Sequence, residues 1–477
     1  MTSARNRGGA RLAYTVLVAS TVLLPRLARA RDLTEILADK EVITLDEKKE
    51  ATRTITKPTI VYKEGKGFTF ATPDDRFSLS VGGRLQVRYT LTDIDSAFVN
   101  PQKGVEDSQS FDIPRARLWW EGNAFTPRLK YKIQIDVAGG GGDILRDAEL
   151  EYEIIDDKWL AVVGGQMKTP FCRQEMTSSG RLEFVDRSLA CSNFRFERAR
   201  GIQFRGTPMN ALIEYYAGVF NTTGRNGPVN PDDNFLYVTR FAINPFGPIP
   251  YSEGDFEETP SPLVAIGVNY GYEKAKGSVF TSAATVGPSS ADPDVDVITA
   301  NGSAQNQVPF LRMIQPYYNK LANPNAITAN VHNLGTDLAA RWMGFDLNFE
   351  YFLGFVSNDA WQSAAPGLPY VLPASSFDNH GYYVQAGYFI IPKKLQIAAR
   401  YSELNANTSA EVKTNTGRKV SPYQDELLGA ISYYFWQHNL KIQTDFGPVT
   451  NTAQKNVDGG ISDKNDFRWR VQAQLIF

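Results

Sequence analysis

The sequence predicts an all-β chain: a transmembrane antiparallel β-barrel of about 16 strands, preceded by a short N-terminal periplasmic helical segment. Three observations predict it. Extended segments recur in which apolar and charged residues alternate with the period of two that a strand imposes. Beyond residue 30 no uninterrupted apolar run reaches the ~20 residues a membrane helix needs. The connections between segments alternate between tight turns and long loops rich in Gly, Asn, Asp and Pro, which is how outer-membrane barrels are built.

The N-terminus carries an export address. Arg5, Arg7 and Arg11 precede an apolar stretch from Leu12 to Leu24, and Ala28-Arg29-Ala30 offers small residues at the two positions a signal peptidase reads. Residues 1–30 are therefore expected to be a signal peptide. Residues 31–76 are read as a periplasmic helix and linker. Leu33, Ile36 and Leu37 fall at helical spacing within a charged stretch, 33–50, that lacks Gly and Pro; an irregular mature N-terminus fits it nearly as well.

The barrel is expected over 77–477. Its first segment sets Phe77, Leu79, Val81, Leu85, Val87, Tyr89 and Leu91 against Ser78, Ser80, Arg84, Gln86, Arg88 and Thr90. The second sets Ala116, Leu118 and Trp120 against Arg115, Arg117 and Glu121, with Trp119 as an inward aromatic. The third sets Leu129, Tyr131, Ile133 and Ile135 against Arg128, Lys130, Lys132 and Gln134, and the fourth sets Ala148, Leu150, Tyr152 and Ile154 against Asp147, Glu149, Glu151 and Glu153. So much charge on one face suits a strand between lipid and water. A secreted β-sandwich would have to bury those rows, which is costly unless every charge is paired.

Continued along the chain, the pattern gives segments at 77–91, 111–125, 127–138, 143–155, 158–168, 199–207, 210–220, 236–243, 263–272, 334–342, 344–354, 380–390, 394–403, 425–435, 438–447 and 466–477. The last puts Phe467, Trp469, Val471, Leu475 and Phe477 on the lipid face and Arg468, Arg470, Gln472 and Gln474 on the lumen face, and it should close the barrel against the first. The Pro-rich stretch 244–262 breaks the alternation of loop lengths, so either a strand pair hides there or the register slips by one hairpin.

The third long loop, 169–198, concentrates positive charge although the formal net charge of the chain is only -2. The overall balance gives no sign of a nucleic-acid partner. Cys172 and Cys191, the only cysteines, lie in this loop and suit a disulfide in an oxidising compartment. An enzyme is disfavoured. His332, His380 and His438 have no metal-ligand spacing and no serine sits in a G-x-S-x-G elbow, so neither a catalytic residue, a metal nor a cofactor is expected; His380 is the one candidate base for a hydrolase. The Gly139–Gly142 run lacks the Lys and Ser/Thr of a phosphate loop and reads as a hairpin. A plugged receptor would need a plug domain, and residues 31–76 are too few.

Within the loop, Gly165-Gln166-Met167-Lys168-Thr169-Pro170-Phe171, then Glu175 and the run Leu182 to Ser188, resemble the signature region of the phosphate-selective porin O and P family. Phe111 to Leu118, Arg146 to Tyr152, Tyr216 to Asn221 and Ser432 to Asp445 agree, in the family's order, so that the resemblance spans about 65–477. It implies a sixteen-stranded homotrimeric barrel in the bacterial outer membrane, with the third loop folded inward as a constriction and basic residues selecting small anions. It also implies that the terminal aromatic, Phe477, is an assembly signal read by the barrel-assembly machinery. Arg84, Arg88, Arg115, Arg117, Arg128, Lys130 and Lys132 from the strands, and Lys168, Arg173, Arg181 and Arg187 from the loop, are the pore-lining and anion-binding candidates, since guanidinium forks match phosphate oxygens. The Glu149, Glu151 and Glu153 row is expected to pair with Arg128, Lys130 and Lys132 across the third and fourth strands, which would favour a general diffusion porin.

Overall fold

The computed structural model describes residues 58–99, 106–138, 144–222, 224–226, 230, 233–276, 328–358, 376–405, 423–455 and 461–477, together with Thr44 and the dipeptides 285–286, 298–299, 412–413 and 419–420. The expected signal peptide, the expected helix at 33–50 and the Gly139–Gly142 run lie outside the described residues. No described helix is long and apolar enough to cross a membrane.

Eighteen strands share one sheet. A hairpin of β1 (Thr59–Lys63) and β2 (Gly67–Ala71) leads into sixteen barrel strands. These are β3 (Ser78–Asp93), β4 (Ser108–Ala124), β5 (Thr126–Asp136), β6 (Leu145–Ile155), β7 (Leu160–Lys168), β8 (Arg198–Gly206), β9 (Ile213–Asn221) and β10 (Phe235–Ile243), followed by β11 (Leu263–Lys276), β12 (Thr328–Trp342), β13 (Phe345–Asn358), β14 (Ser376–Ile391), β15 (Leu395–Asn405), β16 (Gln424–Trp436), β17 (Leu440–Lys455) and β18 (Ile461–Ile476). Each pairs antiparallel with its neighbour, and β18 closes the barrel on β3 from Phe467↔Asp93 to Ile476↔Arg84. The Phe477 ring covers Gly83, where a Cβ would lie 2.5 Å from it. A closed barrel leaves no backbone donor or acceptor facing lipid.

The alternation has the predicted sense. On β3, outward Leu85 and Val87 are 42% and 44% exposed, whereas inward Arg84, Gln86 and Arg88 are 5%, 0% and 4%. An apolar surface repeated around the whole wall is stable only against lipid. Trp119 does point inward, over Gly82, whose missing side chain makes room for its ring. The tight connections sit at one end. Asp157 and Lys158 there both have positive φ, 58° and 59°, a mirror-image turn whose twist matches the strands although no Asn-Gly pair announces it.

All sixteen expected segments are strands, but several run further at the long-loop end. The expected 438–447 is Leu440–Lys455 and the expected 466–477 starts at Ile461, because polar residues continue the ladder where no apolar period marks it. Two readings are corrected. The linker expected up to residue 76 contains the β1–β2 hairpin, whose strands of five residues each are too short to register as a span. The stretch 244–262 hides no strand pair and shifts no register. Pro245, Pro248, Pro250, Pro260 and Pro262 supply no backbone N–H for a ladder, and the segment folds into the lumen, burying Ile249, Glu253, Asp255 and Phe256.

Candidate constriction site

The third long loop crosses the lumen. Its neck is closed by the Thr169 N–H donating to the Glu197 carbonyl at 2.8 Å, and Cys172 and Cys191 are joined by a disulfide. Two short helices follow, α1 (Arg173–Met176) and α2 (Leu189–Phe194). Glu350 of β13 accepts the Arg173 and Gln174 N–H groups at 2.7 and 2.8 Å, which satisfies donors that the first turn of α1 leaves open. Phe171, Phe194 and Phe196 pack with Phe352, Tyr383 and Leu404 of β13–β15, with Phe194 stacked on Phe352 at 5.2 Å. Phe184 packs on Leu428 and Ala430 of β16, with the Arg400 guanidinium 4.3 Å from its ring centre.

From the opposite side the 244–262 segment meets the same loop. The Glu253 N–H donates to the Arg181 carbonyl at 2.9 Å, while the Glu253 carboxylate accepts from Gln174 Nε2 at 3.0 Å and from the Glu183 N–H at 2.7 Å. Gln385 Nε2 bridges Glu183 and Glu253 at 2.9 Å each. Burial together with the neighbouring Asp346 and Glu253 carboxyls raises the Glu183 pKa well above the usual carboxylate range. Burial would also raise that of Glu175, but Arg187 and Arg195 outweigh it and pull it down to about 2. His438, in the β16–β17 turn, donates from Nε2 to the Glu253 carbonyl at 2.8 Å, and burial beside Lys441 keeps its pKa well below the ordinary imidazole value.

These two insertions cover the inner face of β12–β17, where Phe352, Tyr383, Gln385, Gln396, Arg400, Lys441 and Asp445 are all buried. The inner face of β5 differs. The Lys130 and Lys132 side chains are 43% and 34% exposed, so water reaches the lumen wall at β5.

On that side the loop and wall enclose a cavity of about 180 Å³ lined by Arg84, Arg117, Lys132, Lys168, Arg187 and Arg198, with Asp147 the one acidic residue beside Gln134, Met176, Ser178 and Ser179. Asp147 bridges Arg198 at 2.6 Å and Lys132 at 2.8 Å. Five of the eleven residues expected to line the pore thus meet in one place. Arg84 and Arg117 reach the loop through Ser179 at 3.1 and 3.4 Å, and Arg117 also pairs with Asp136 at 2.5 Å.

The other six are elsewhere. Arg88 and Arg115 lie under the loop, holding Asp186 at 2.8 and 2.9 Å with help from Arg470 at 3.2 Å. Arg173 is buried against the 244–262 segment, donating to the Ile249 carbonyl at 3.0 Å, and Arg181 is exposed. Lys130 pairs with Glu151 and Glu153 at 3.3 and 3.5 Å, and Lys132 adds Glu149 at 3.5 Å. Arg128 does not join that row; it pairs with Asp156 in the β6–β7 turn. Lys130 and Lys132 also face a larger vestibule of about 540 Å³ at the short-turn end, where Lys63, Lys66 and Arg205 meet Asp75, Glu121, Glu149 and Glu151. Arg198 and Asp147 were visible in the sequence as a loop cation and an inward carboxylate. Their convergence was not, because it depends on where the loop lands.

His380 faces outward on β14, 3.8 Å from Glu403, away from the lumen. The metal-ligating cluster found among the described residues, Cys172, Cys191 and Glu350, has its sulfurs committed to the disulfide.

The sequence profile described as phosphate-selective porin O and P matches residues 80–249 and 265–477, which is most of the barrel. The chain belongs to this family. It is a porin of the bacterial outer membrane, a channel and not an enzyme. Among solved structures it is similar to an anion-selective porin from Comamonas acidovorans, at 8% identity and TM-score 0.48 over 84% of this chain and 100% of that one. It is also similar to the outer membrane channel DcaP of Acinetobacter baumannii, at 12% identity and TM-score 0.45 over 84% and 97%, and to OmpT of Vibrio cholerae, at 11% and 0.44 over 84% and 98%. No curated protein sequence matches it. In outer-membrane barrels the short turns face the periplasm and the long loops face outward.

Proposed function

We propose that this porin passes small inorganic anions, with phosphate and related oxyanions favoured, and that selection occurs at the cavity between the third loop and the β3–β8 wall. The observation that carries this reading is the lining of that cavity, six basic side chains with Asp147 the one acidic residue among them, while Arg117 and Arg187 also pair with Asp136 and Glu175. A narrow, partly dehydrated ring of cations lowers the energy of a passing anion and raises that of a cation, and the four guanidinium groups offer paired donors to oxyanion oxygens. Hydroxyls of Ser178 and Ser179 add neutral donors at the same level.

A general diffusion porin is favoured by a different observation. The vestibule on the periplasmic side carries nearly balanced charge, and Lys130 and Lys132 face Glu151 and Glu149 there. Reversal potentials across a planar bilayer in a salt gradient, followed by titration with phosphate, separate the two. Anion preference with phosphate-dependent block of chloride current supports the oxyanion reading; a weak preference with no block supports general diffusion; a cation-selective current refutes both the ring and its role. Assembly as a homotrimer, insertion through the C-terminal strand by the barrel-assembly machinery, and export by cleavage of residues 1–30 accompany this reading. Each is checked by size in mild detergent, by outer-membrane yield and by the N-terminal sequence of the mature protein.

A further inference from the structure

The β1–β2 hairpin is the part of the sheet that lies outside the barrel wall. Strand β2 pairs with the first residues of β3, Phe68↔Val81 and Phe70↔Leu79, whereas β18 pairs with β3 only from Arg84 onward. The hairpin therefore continues the wall past the C-terminus, on the periplasmic side. Its turn is tied to the barrel: Trp119 Nε1 donates to the Lys66 carbonyl at 3.3 Å and Asn439 Nδ2 to Glu64 at 3.1 Å.

Its two faces differ in kind. Lys63, Thr69 and Ala71 look into the vestibule, with Thr69 bonded to Ser80 at 2.8 Å. On the other face Ile60, Tyr62, Phe68 and Phe70 are 63%, 51%, 51% and 41% exposed, with the Tyr62 and Phe68 rings edge to face at 5.6 Å. That face is on the same side of the sheet as Leu79 and Val81, which belong to the outward wall. Left in water, four large apolar side chains beside the open edge of β1 would be an aggregation site.

We propose that this face lies against the periplasmic leaflet of the outer membrane, with phospholipid as its occupant. The apolar surface is continuous with the lipid-facing wall and runs toward Phe77 and Phe125, an aromatic pair 5.2 Å apart at the β4–β5 turn, the level at which barrels carry an aromatic girdle. Tyr62 has the amphipathic ring that such an interface favours. The hairpin then acts as a lip that pins the periplasmic mouth to the membrane and holds two lysines over the vestibule.

Site-directed spin labelling of the full-length porin in phosphatidylethanolamine–phosphatidylglycerol vesicles tests this. The native cysteines are disulfide-bonded and buried, so Tyr62→Cys, Phe68→Cys and Val61→Cys each offer one reactive thiol. Labels at 62 and 68 should collide with dissolved oxygen several times more than with a water-soluble nickel chelate, relative to the label at 61, which shares the vestibule face. Equal ratios at 62 and 61 overturn the proposal. So does spin–spin broadening at 62 or 68, because it would mean that a second copy covers the face. Should Phe68→Cys fail to fold, Phe70→Cys samples the same surface.

Discussion

If the cavity between the third loop and the β5–β6 wall sets selectivity, Lys132 and Asp147 should move it in opposite directions. They touch each other at 2.8 Å and both line the cavity, so Lys132→Gln removes one positive charge and Asp147→Asn one negative charge from almost the same point. A unit charge about 6 Å from the ion contributes about 0.7 kcal/mol at the dielectric of water and about 2.8 kcal/mol at an effective dielectric of 20. The Lys132 side chain is 34% exposed, which places the effect toward the lower figure. At about 1.4 kcal/mol per decade, a three- to tenfold change in the anion-to-cation permeability ratio is expected, roughly, with Lys132→Gln lowering it and Asp147→Asn raising it. The double variant should return near the parent value, because it restores the local balance. The ratio is read from reversal potentials of single channels in a potassium chloride gradient, so only folded, inserted protein contributes. A shift of the same sign in both single variants, or none in either, refutes the assignment of the constriction to this cavity.

Four further outcomes follow from the loop's attachments. Asp186→Asn withdraws the partner that Arg88, Arg115 and Arg470 share, and breaking a buried pair costs about 3–5 kcal/mol; Arg88 keeps Gln472, Arg115 keeps Gln86 and Arg470 keeps Asp445, so the low end is expected, seen as raised open-channel noise. Replacing Cys172 and Cys191 by Ser opens a link spanning 19 residues, worth about 3 kcal/mol, and should speed trypsin cleavage within the loop while the barrel stays resistant. Because the Glu183 pKa is raised in the fold, its contribution to loop docking is complete below the ordinary value of 4.5 and lost as pH rises through the elevated one; channel noise should grow over that window and Glu183→Gln should abolish the trend. Deleting Phe477 removes both hydrogen bonds to Gly83, at 2.8 and 2.9 Å, and the ring over it, and should lower outer-membrane yield more than it alters the selectivity of the channels that do insert.

The wall was legible because a strand between lipid and water obeys a strict period of two, and one register error would have turned Arg84, Gln86 and Arg88 into the membrane. That period says which way a side chain points. It is silent about what stands across the lumen. Arg84, Arg88, Arg115 and Arg117 share one inward pattern and all four are buried, yet two of them line the basic cavity beside Ser179 and two hold Asp186, because different parts of the third loop land on each pair. The landing place of that loop depends on contacts far apart in sequence, such as Phe184 on Leu428 and Glu350 on the α1 amides. The 244–262 segment shows the same limit from the other side: its sequence left a hidden strand pair or a register slip open, and only Glu253, reaching Gln174, Glu183 and Gln385 together, reveals it as the support on which the constriction rests. A porin's selectivity is thus read less from the charges on its strands than from which of those charges its inserted segments leave facing water.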